Sequence, residues 1–156
     1  MIFVMVGTHN LGFERLVKKM DDIAKNEKVV MQTGTTLYRP QNAEYFDFAG
    51  IKTIYDYIEK ADVVVTHGGI GCVTDSLAYG KSTVIVPRLK RYNEHTNDHQ
   101  LDLAREIESE GRAITVLDVE KLEDAIRDSR LLNVRRKKEE DKVVSIINEY
   151  LKKIGE

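Results

Sequence analysis

The sequence has a single cysteine, Cys72, and no excess of positive charge. One cysteine excludes a disulfide within the chain, so we expect a reducing compartment, namely the cytoplasm. The formal net charge is −2 and the isoelectric point is about 6.1. Proteins that bind nucleic acid usually carry a clear basic excess, and we therefore expect no nucleic-acid partner.

Long hydrophobic runs are missing as well. The opening "MIFVMVGTHN" has an apolar core of only six residues and no basic residue before it. Such a run is too short for a signal peptide, and a membrane-spanning helix needs about 18 apolar residues or more. We interpret residues 2–6 as a first strand, and we expect another molecule to hold the chain if it works at a membrane.

The remaining composition is that of a soluble globular domain, with 42% hydrophobic and 32% charged residues. A chain of 156 residues corresponds to about one domain. Because no linker, repeat or low-complexity tract divides it, we predict a single domain over residues 1–156.

Apolar runs alternate with amphipathic stretches along the chain. The runs predict strands at residues 2–6, 29–34, 43–50, 62–67, 82–87 and 113–118. The amphipathic stretches predict helices at residues 13–26, 53–61, 72–80, 99–111, 119–130 and 137–156. This alternation indicates an α/β fold with a doubly wound, Rossmann-like parallel sheet.

A glycine-rich turn joins the fourth predicted strand to the helix after it. Gly68, Gly69 and Gly71 follow Thr66 and His67 directly. Ligands of parallel sheets bind beyond the carboxyl ends of the strands, and backbone amides at a helix N-terminus favour an anion such as a phosphate. The alternative is a tight turn that only packs the helix on the strand, for which one glycine would be enough.

Two familiar phosphate-binding motifs do not fit this turn. The dinucleotide fingerprint requires a glycine where this sequence has Thr74, and an acidic residue where it has Arg88. "GKST" at residues 80–83 ends like a P-loop, but it leads from a helix into a strand, which is the reverse of the required order.

Two stretches carry a family resemblance, "MIFVMVGTHNLGFERLVKKMD" and "THGGIGCVTDSLAYGKSTVIVPRLKRYNEHTNDHQLDLA". They resemble the C-terminal, donor-binding half of family 28 glycosyltransferases, and most specifically the small catalytic subunit of two-component UDP-sugar transferases. Such pairs extend a dolichol-linked oligosaccharide in eukaryotes or serve bacterial polysaccharide pathways, where a glucuronosyltransferase pair is the closer likeness. The resemblance covers residues 1–118 and implies the fold of the C-terminal half of a GT-B glycosyltransferase.

The resemblance assigns the diphosphate of a UDP-sugar to the turn, at His67, Gly68, Gly69 and Gly71. It places the ribose hydroxyls at Asp75, because a carboxylate accepts two hydroxyl donors well. Considered without the resemblance, Asp75 could equally be a first-turn charge that the helix dipole favours.

The segment "NEHTNDHQ" is the second part of the implied site. By position, His99 and Gln100 would read the sugar hydroxyls, with Asn97 and Asp98 in support. The alternative is that Asn97 or Asp98 caps the following helix within a solvated loop.

The loop after the first strand is the third part. Gly7 and Thr8 would form a second backbone wall near the phosphates, and His9 would contact a phosphate or act as general base toward the acceptor. A loop histidine without a role is the alternative for His9.

Three further features would border the site or follow from the family. Thr33 and Gly34 end the second strand at the same edge of the sheet, and backbone groups near residues 50–51 would read uracil. Residues 88–91 form a small basic loop that could balance the diphosphate. An apolar stripe in the last helix either covers the domain's own sheet or helps to dock a partner.

The resemblance thus implies a transferase that binds a UDP-sugar and inverts the anomeric carbon by direct displacement. It implies no metal and no cofactor. It implies a membrane-anchored partner that presents a lipid-linked acceptor, so that this chain lies peripherally at the membrane; the chain could also self-associate when alone. Two rivals are a nucleotide-sugar binding module without catalysis and a zinc-dependent hydrolase built on His95, Asp98 and His99.

Overall fold

The described part of the chain, residues 1–132 and 140–155 of a computed structural model, folds into a parallel sheet flanked by helices. Its strands are β1 (Ile2–Met5), β2 (Val29–Gln32), β3 (Glu44–Phe46), β4 (Val63–Thr66), β5 (Ser82–Ile85) and β6 (Ile114–Thr115). Its helices are α1 (Glu14–Ile23), α2 (Ile51–Lys60), α3 (Ile70–Ala78), α4 (His99–Ser109), α5 (Leu122–Leu131) and α6 (Glu140–Gly155). Each predicted element is confirmed, except that the predicted start of the last helix, residues 137–139, lies outside the described residues.

The order of the strands places a crevice at the centre of the sheet. The strands lie in the order β3-β2-β1-β4-β5-β6, and all neighbouring pairs are parallel. The chain builds outward from β1 to β3 and then crosses back to β4, so β1 and β4 flank the topological switch point where such folds bind ligands. Met5 pairs with Thr66, and the loops after these two residues therefore emerge side by side.

Helices cover both faces of the sheet, which confirms the doubly wound arrangement. The central strands β1, β2 and β4 are buried along their whole length, as their continuous apolar sequences predict. One face packs against α1 and α5 in a single hydrophobic cluster. The other face packs against α2 in one cluster and against α3, α4 and α6 in another. No helix among the described residues combines the length and the apolar character needed to cross a membrane.

The apolar stripe of α6 is divided between the core and the surface. Ile147 and Tyr150 are buried in the cluster that α3 and α4 form. Tyr150 also donates a hydrogen bond from its hydroxyl to the carbonyl of His99, and burial raises the pKa of this phenol to about 12. Leu151 and Ile154 stay exposed. The helix therefore covers its own domain with one half of the predicted stripe.

We expect Ile147→Ala to lower the free energy of unfolding by about 2–4 kcal/mol, because truncation of a buried isoleucine leaves a cavity. Val144→Ala on the same helix is the matched control, since the Val144 side chain is half exposed and should cost well under 1 kcal/mol. Urea unfolding followed by circular dichroism measures both. Equal effects of the two substitutions would contradict the packing of α6 against α3 and α4.

Candidate functional site

A cleft of about 370 Å³ lies beside the switch point, between the carboxyl ends of β1 and β2 and the N-terminal halves of α2 and α3. One wall is apolar and is formed by Phe48, Ala49, Ile51 and Ile54. The remaining lining includes Gly7 and Thr8 from the β1 loop and Gly71, Cys72 and Asp75 from α3. The crevice that the sequence predicts beside the glycine turn is therefore present, and its lining is mostly apolar, with Asp75 as its one carboxylate.

The start of α3 offers unpaired hydrogen-bond donors at the border of this cleft. The first hydrogen bond of the helix runs from the Val73 amide to the Gly69 carbonyl, over 3.1 Å. No described residue accepts a hydrogen bond from the amides of Ile70, Gly71 or Cys72. Helix N-termini leave such amides unpaired, and together with the helix dipole they favour an anion.

The amides of Gly68 and Gly69 donate hydrogen bonds within the protein, and their predicted contact with the diphosphate stays a prediction. The Gly68 amide donates to Oε1 of Gln100 over 3.2 Å, and the Gly69 amide donates to Nδ1 of His67 over 3.1 Å. The same holds for Gly7, whose amide donates to Oε1 of Gln32 over 3.0 Å. The free donors therefore begin at residue 70.

These glycines are needed because other groups approach their backbones closely. A Cβ atom on Gly68 would lie 2.6 Å from Cβ of Gln100, and one on Gly69 would lie 2.1 Å from Cε1 of His67. A Cβ atom on Gly7 would lie 2.4 Å from Nε2 of His67. Gly71, in contrast, has open space at this position. The turn thus combines the two readings of its glycines, since Gly68 and Gly69 serve packing, as Gly7 does in the loop after β1, and Gly71 leaves the helix start open.

His67 is a neutral donor held between Gly7 and Gly69. Burial, with a smaller contribution from the charge of Arg88, lowers the pKa of His67 to about 3. Because Nδ1 accepts the Gly69 amide, the proton of the neutral ring is on Nε2. Nε2 is buried and has no partner of hydrogen-bond geometry among the described residues, although the Gln100 side chain is nearby. A buried donor without a partner is uncommon in folded proteins.

Asp75 lies in the cleft on the second turn of α3. The helix begins at Ile70, two residues earlier than predicted, and its first turn contains no acidic residue. The alternative reading of Asp75 as a first-turn charge is therefore wrong. Burial raises the pKa of Asp75, and a hydrogen bond from the Tyr55 hydroxyl partly offsets this effect.

The thiol of Cys72 is unreactive at neutral pH. Burial raises the pKa of its thiol to about 11, so the thiol keeps its proton at neutral pH.

The apolar wall lies where the sequence predicts the uracil contact. Gly50 is the N-cap residue of α2, and Ile51 begins that helix and lines the cleft. Phe48 and Ile51 remain 55% and 61% exposed, which is unusual for side chains of this size that face a cavity. An aromatic or heterocyclic ring would cover them.

The end of β2 contributes a residue that sequence reasoning missed. Gln32 lines the cleft, and its side-chain amide binds both the amide and the carbonyl of Gly7, each over 3.0 Å. Thr33 and Gly34, the predicted border residues, instead bind Asp47 beyond β3. The available signal was a polar residue at the end of the buried run "VVMQ".

The segment 97–100 does not line the cleft. Asp98 occupies the N-cap position of α4, but its carboxylate accepts the Lys90 amide over 2.9 Å. The side-chain cap that was the alternative for Asp98 is therefore not formed. Asn97 accepts the amide of His99 over 3.0 Å. Gln100 joins two loops, because its Oε1 accepts the amides of Gly68 and Arg88. The predicted contact of residues 97–100 with the sugar hydroxyls stays a prediction.

His9, the predicted catalytic residue, is placed as a donor rather than a base. Its Nδ1 accepts the Leu11 amide over 3.1 Å, so the neutral ring carries its proton on Nε2. The ring stacks against His95, with 4.7 Å between ring centroids. Burial, and secondarily Arg88, lower the pKa of His9. Its Nδ1 lone pair is engaged in this arrangement, and its predicted role as a phosphate contact or general base stays a prediction.

Arg88 is buried, although the sequence places it in a basic surface loop. Its Nη1 donates to the carbonyls of Leu11, Gly12 and Glu94, and its Nη2 donates to the carbonyl of Val6 over 2.9 Å. Burial lowers the pKa of Arg88 to about 10, partly offset by Glu94, and the side chain stays charged at neutral pH.

The zinc site of the rival hypothesis is not formed. Among the described residues, no three histidine, cysteine, aspartate or glutamate side chains are grouped so that they could hold a metal ion. His95 instead faces His9.

Comparison with known proteins identifies the family. Residues 1–153 match the glycosyltransferase family 28 C-terminal domain, and the chain belongs to this family. It is 29% identical over 123 residues to the human UDP-N-acetylglucosamine transferase subunit ALG13, a match that covers 70% of this chain and 10% of that protein. The mouse subunit of the same name is 29% identical over 122 residues, with the same coverage. The chain thus spans about a tenth of the length of the curated relatives it matches.

Solved structures share the fold. The glycotransferase of kitacinnamycin superposes with a TM-score of 0.67 at 19% identity, over 96% of this chain and 39% of that one. The solution structure of ALG13 superposes with a TM-score of 0.59 at 15% identity, over 83% of this chain and 85% of that one. The predicted fold, that of the C-terminal half of a GT-B glycosyltransferase, is confirmed.

The two kinds of glycine should respond differently to a methyl group. We expect Gly68→Ala to destabilise the fold by about 1–3 kcal/mol, since the new Cβ atom would overlap α4 at Gln100. We expect Gly71→Ala to be neutral or stabilising by up to about 1 kcal/mol, because the position is open and helical. Thermal unfolding of both variants measures the difference, and a loss of stability in Gly71→Ala would contradict the open helix start.

The buried neutral state of His67 predicts a pH dependence of stability. Below pH 6.5 the unfolded chain takes up a proton at this residue, whereas the folded chain does not do so until about pH 3. This group should therefore remove up to about 1.4 kcal/mol of folding free energy for each pH unit as the pH falls between these values.

His67→Asn isolates this contribution, because Oδ1 of asparagine can accept the Gly69 amide in place of Nδ1. Urea unfolding between pH 7 and pH 4 should show a shallower pH slope in the variant than in the parent protein. The other titrating groups are common to both proteins and cancel in the comparison. Parallel slopes would mean that His67 titrates normally in the folded chain.

Proposed function

We propose that this chain is the donor-binding subunit of a UDP-sugar transferase. The observation that carries the proposal is the row of unpaired amides at residues 70–72, which borders a cleft with an apolar wall and one carboxylate. Uracil lies against Phe48 and Ile51, and the ribose hydroxyls donate to Asp75. The diphosphate then lies at the start of α3, where several backbone donors share its charge.

The same donors support catalysis. In a direct displacement with inversion at the anomeric carbon, the largest charge develops on the departing UDP. Amides that are already oriented toward this charge stabilise the transition state without reorganisation. The dipole of α3 acts on the same anion, and in this proposal no metal or cofactor takes part.

A partner subunit supplies the acceptor. The two curated relatives are named as subunits of a transferase. We propose that a membrane-anchored partner binds this chain at the cytoplasmic surface and presents a lipid-linked acceptor to the bound donor. The chain alone then binds the donor but transfers the sugar poorly, because it cannot orient the acceptor. A neighbouring reading frame with an N-terminal membrane helix would be the first partner to co-express.

Calorimetric titration with UDP tests the donor site. We expect the parent chain to bind UDP and Asp75→Asn to bind it about tenfold or more weakly, since hydrogen bonds to a charged group contribute about 1.5–3 kcal/mol. The free variant should not be less stable at neutral pH. The folded-state pKa of Asp75 is raised by burial, so its carboxylate opposes folding above that pKa.

Asp56→Asn is the matched control, because it makes the same change on α2 at a carboxylate that pairs with Lys52 outside the cleft. Its UDP affinity should equal that of the parent. Absence of UDP binding by the parent would reject the proposed function, and an unchanged affinity in Asp75→Asn would remove this residue from the site. Binding without sugar transfer, even with the partner present, would favour the non-catalytic module.

A further inference from the structure

Two histidines from different loops meet beside the donor site. His9 follows β1 and His95 lies between β5 and α4. Their rings are tilted by 33° with 4.7 Å between centroids, and both side chains are half-buried. Nothing in the proposed binding of UDP uses this pair.

Both rings are fixed in the same tautomer. The Leu11 amide donates to Nδ1 of His9 over 3.1 Å, and the Asn97 amide donates to Nδ1 of His95 over 3.3 Å. Each neutral ring therefore carries its proton on Nε2 and presents it away from its own loop. No described residue accepts a hydrogen bond from either Nε2. The pair consequently offers two neighbouring donors and no free acceptor nitrogen.

Arg88 holds the two loops together. Its Nη1 donates to the carbonyls of Leu11 and Gly12, just after His9, and to the carbonyl of Glu94, just before His95. The separation of the two rings is therefore set by a buried guanidinium rather than by surface contacts. The same group places a positive charge near both rings, as its effect on their pKa values indicates.

The histidine pair lies next to the loop that borders the donor site. His67 directly precedes the glycine turn that leads to the free amides of α3, and its Nε2 lies against the backbone of Gly7. His9 is two residues beyond Gly7 in the same loop. A ligand whose diphosphate lies at residues 70–72 would therefore extend past His67 toward His9 and His95.

We propose that His9 and His95 form a two-donor subsite for a second anionic group, a carboxylate or a phosphate, that lies beyond the UDP diphosphate. This proposal rests on the proposed function. The anion is either part of the transferred sugar, as in a uronic acid, or part of the acceptor, as in a lipid-linked pyrophosphate. A neutral hydroxymethyl group would use at most one of the two donors.

The electrostatic surroundings agree with an anion. Burial lowers the pKa of both His9 and His95, and the charge of Arg88 lowers both further. The neighbouring imidazoles of His9 and His99 lower the pKa of His95 as well. Among these groups only Asp98 acts on His95 in the opposite direction. A negative charge bound next to the rings would favour their protonated forms, so the pKa values of His9 and His95 should rise when the anion binds.

Three titrations of the full chain distinguish the sources. UDP-glucuronate and UDP-glucose differ only in a carboxylate and a hydroxymethyl group, so their comparison isolates a sugar anion. Inorganic pyrophosphate added to the UDP-saturated protein probes an acceptor anion. Each titration is repeated with His95→Phe, which keeps the ring and removes the donor, and with His95→Gln, which keeps a donor near Nε2. Arg105→Gln, an exposed cation on α4, controls for general electrostatic attraction.

For a sugar anion, we expect UDP-glucuronate to bind at least about tenfold tighter than UDP-glucose. His95→Phe should remove this preference, whereas His95→Gln and Arg105→Gln should retain it. For an acceptor anion, the two nucleotide sugars should bind equally, and pyrophosphate should bind the UDP-saturated parent but not His95→Phe. In both cases the affinity for UDP alone should be the same in all variants, and proton NMR should show the rise in the histidine pKa values.

The proposal is overturned if UDP binds normally but neither anion shows an affinity that His95→Phe changes. The same holds if Arg105→Gln weakens anion binding as much as His95→Phe does. Failure of the parent chain to bind UDP would reject the donor site itself and this subsite with it, so the two failures are distinguishable.

Discussion

The buried guanidinium of Arg88 is the interaction on which the arrangement of the carboxyl edge of the sheet depends. A buried charge is costly unless hydrogen bonds compensate for its lost hydration. Here four backbone carbonyls accept from Nη1 and Nη2 of Arg88, and the ring of Phe13 lies 4.8 Å from its Cζ atom. The buried Nε has no hydrogen-bond partner among the described residues. These carbonyls belong to the end of β1, to the loop after it and to the loop after β5. One side chain thus connects three segments that no regular secondary structure joins.

The first part of the glycine turn serves packing, whereas the amides that follow it are left unpaired. Gly68 lets α4 approach, and Gly7 and Gly69 leave room for the ring of His67. The amides of these glycines are satisfied inside the protein by Gln100, Gln32 and His67 itself. Because the turn is internally satisfied, it is rigid, and the unpaired amides after it are held in a fixed position at the mouth of the cleft.

Much of the fold follows from local sequence, whereas parts of the site do not. Continuous runs such as "VVVT" indicate strands buried on both faces, and their alternation with amphipathic stretches leads to the parallel sheet. The crevice and the place of Asp75 follow from that topology and from the family resemblance. Arg88 could not be located in this way, because its partner Val6 is 82 residues away. Its burial is decided by tertiary contacts that leave no pattern in the adjacent sequence.

The distribution of charge along the crevice also sets the direction in which a nucleotide sugar binds in the proposed mode. Apolar side chains and a single carboxylate lie at the α2 end, whereas unpaired amides, His67 and the charge of Arg88 lie toward the β5 loop. The reverse orientation would press a diphosphate against Phe48 and Asp75, where it would lose hydration and meet a like charge. It would also leave the row of amides at the start of α3 unused. In the proposed mode the nucleoside would therefore lie beside α2, and the reacting end of the ligand would point toward the loops that Arg88 joins.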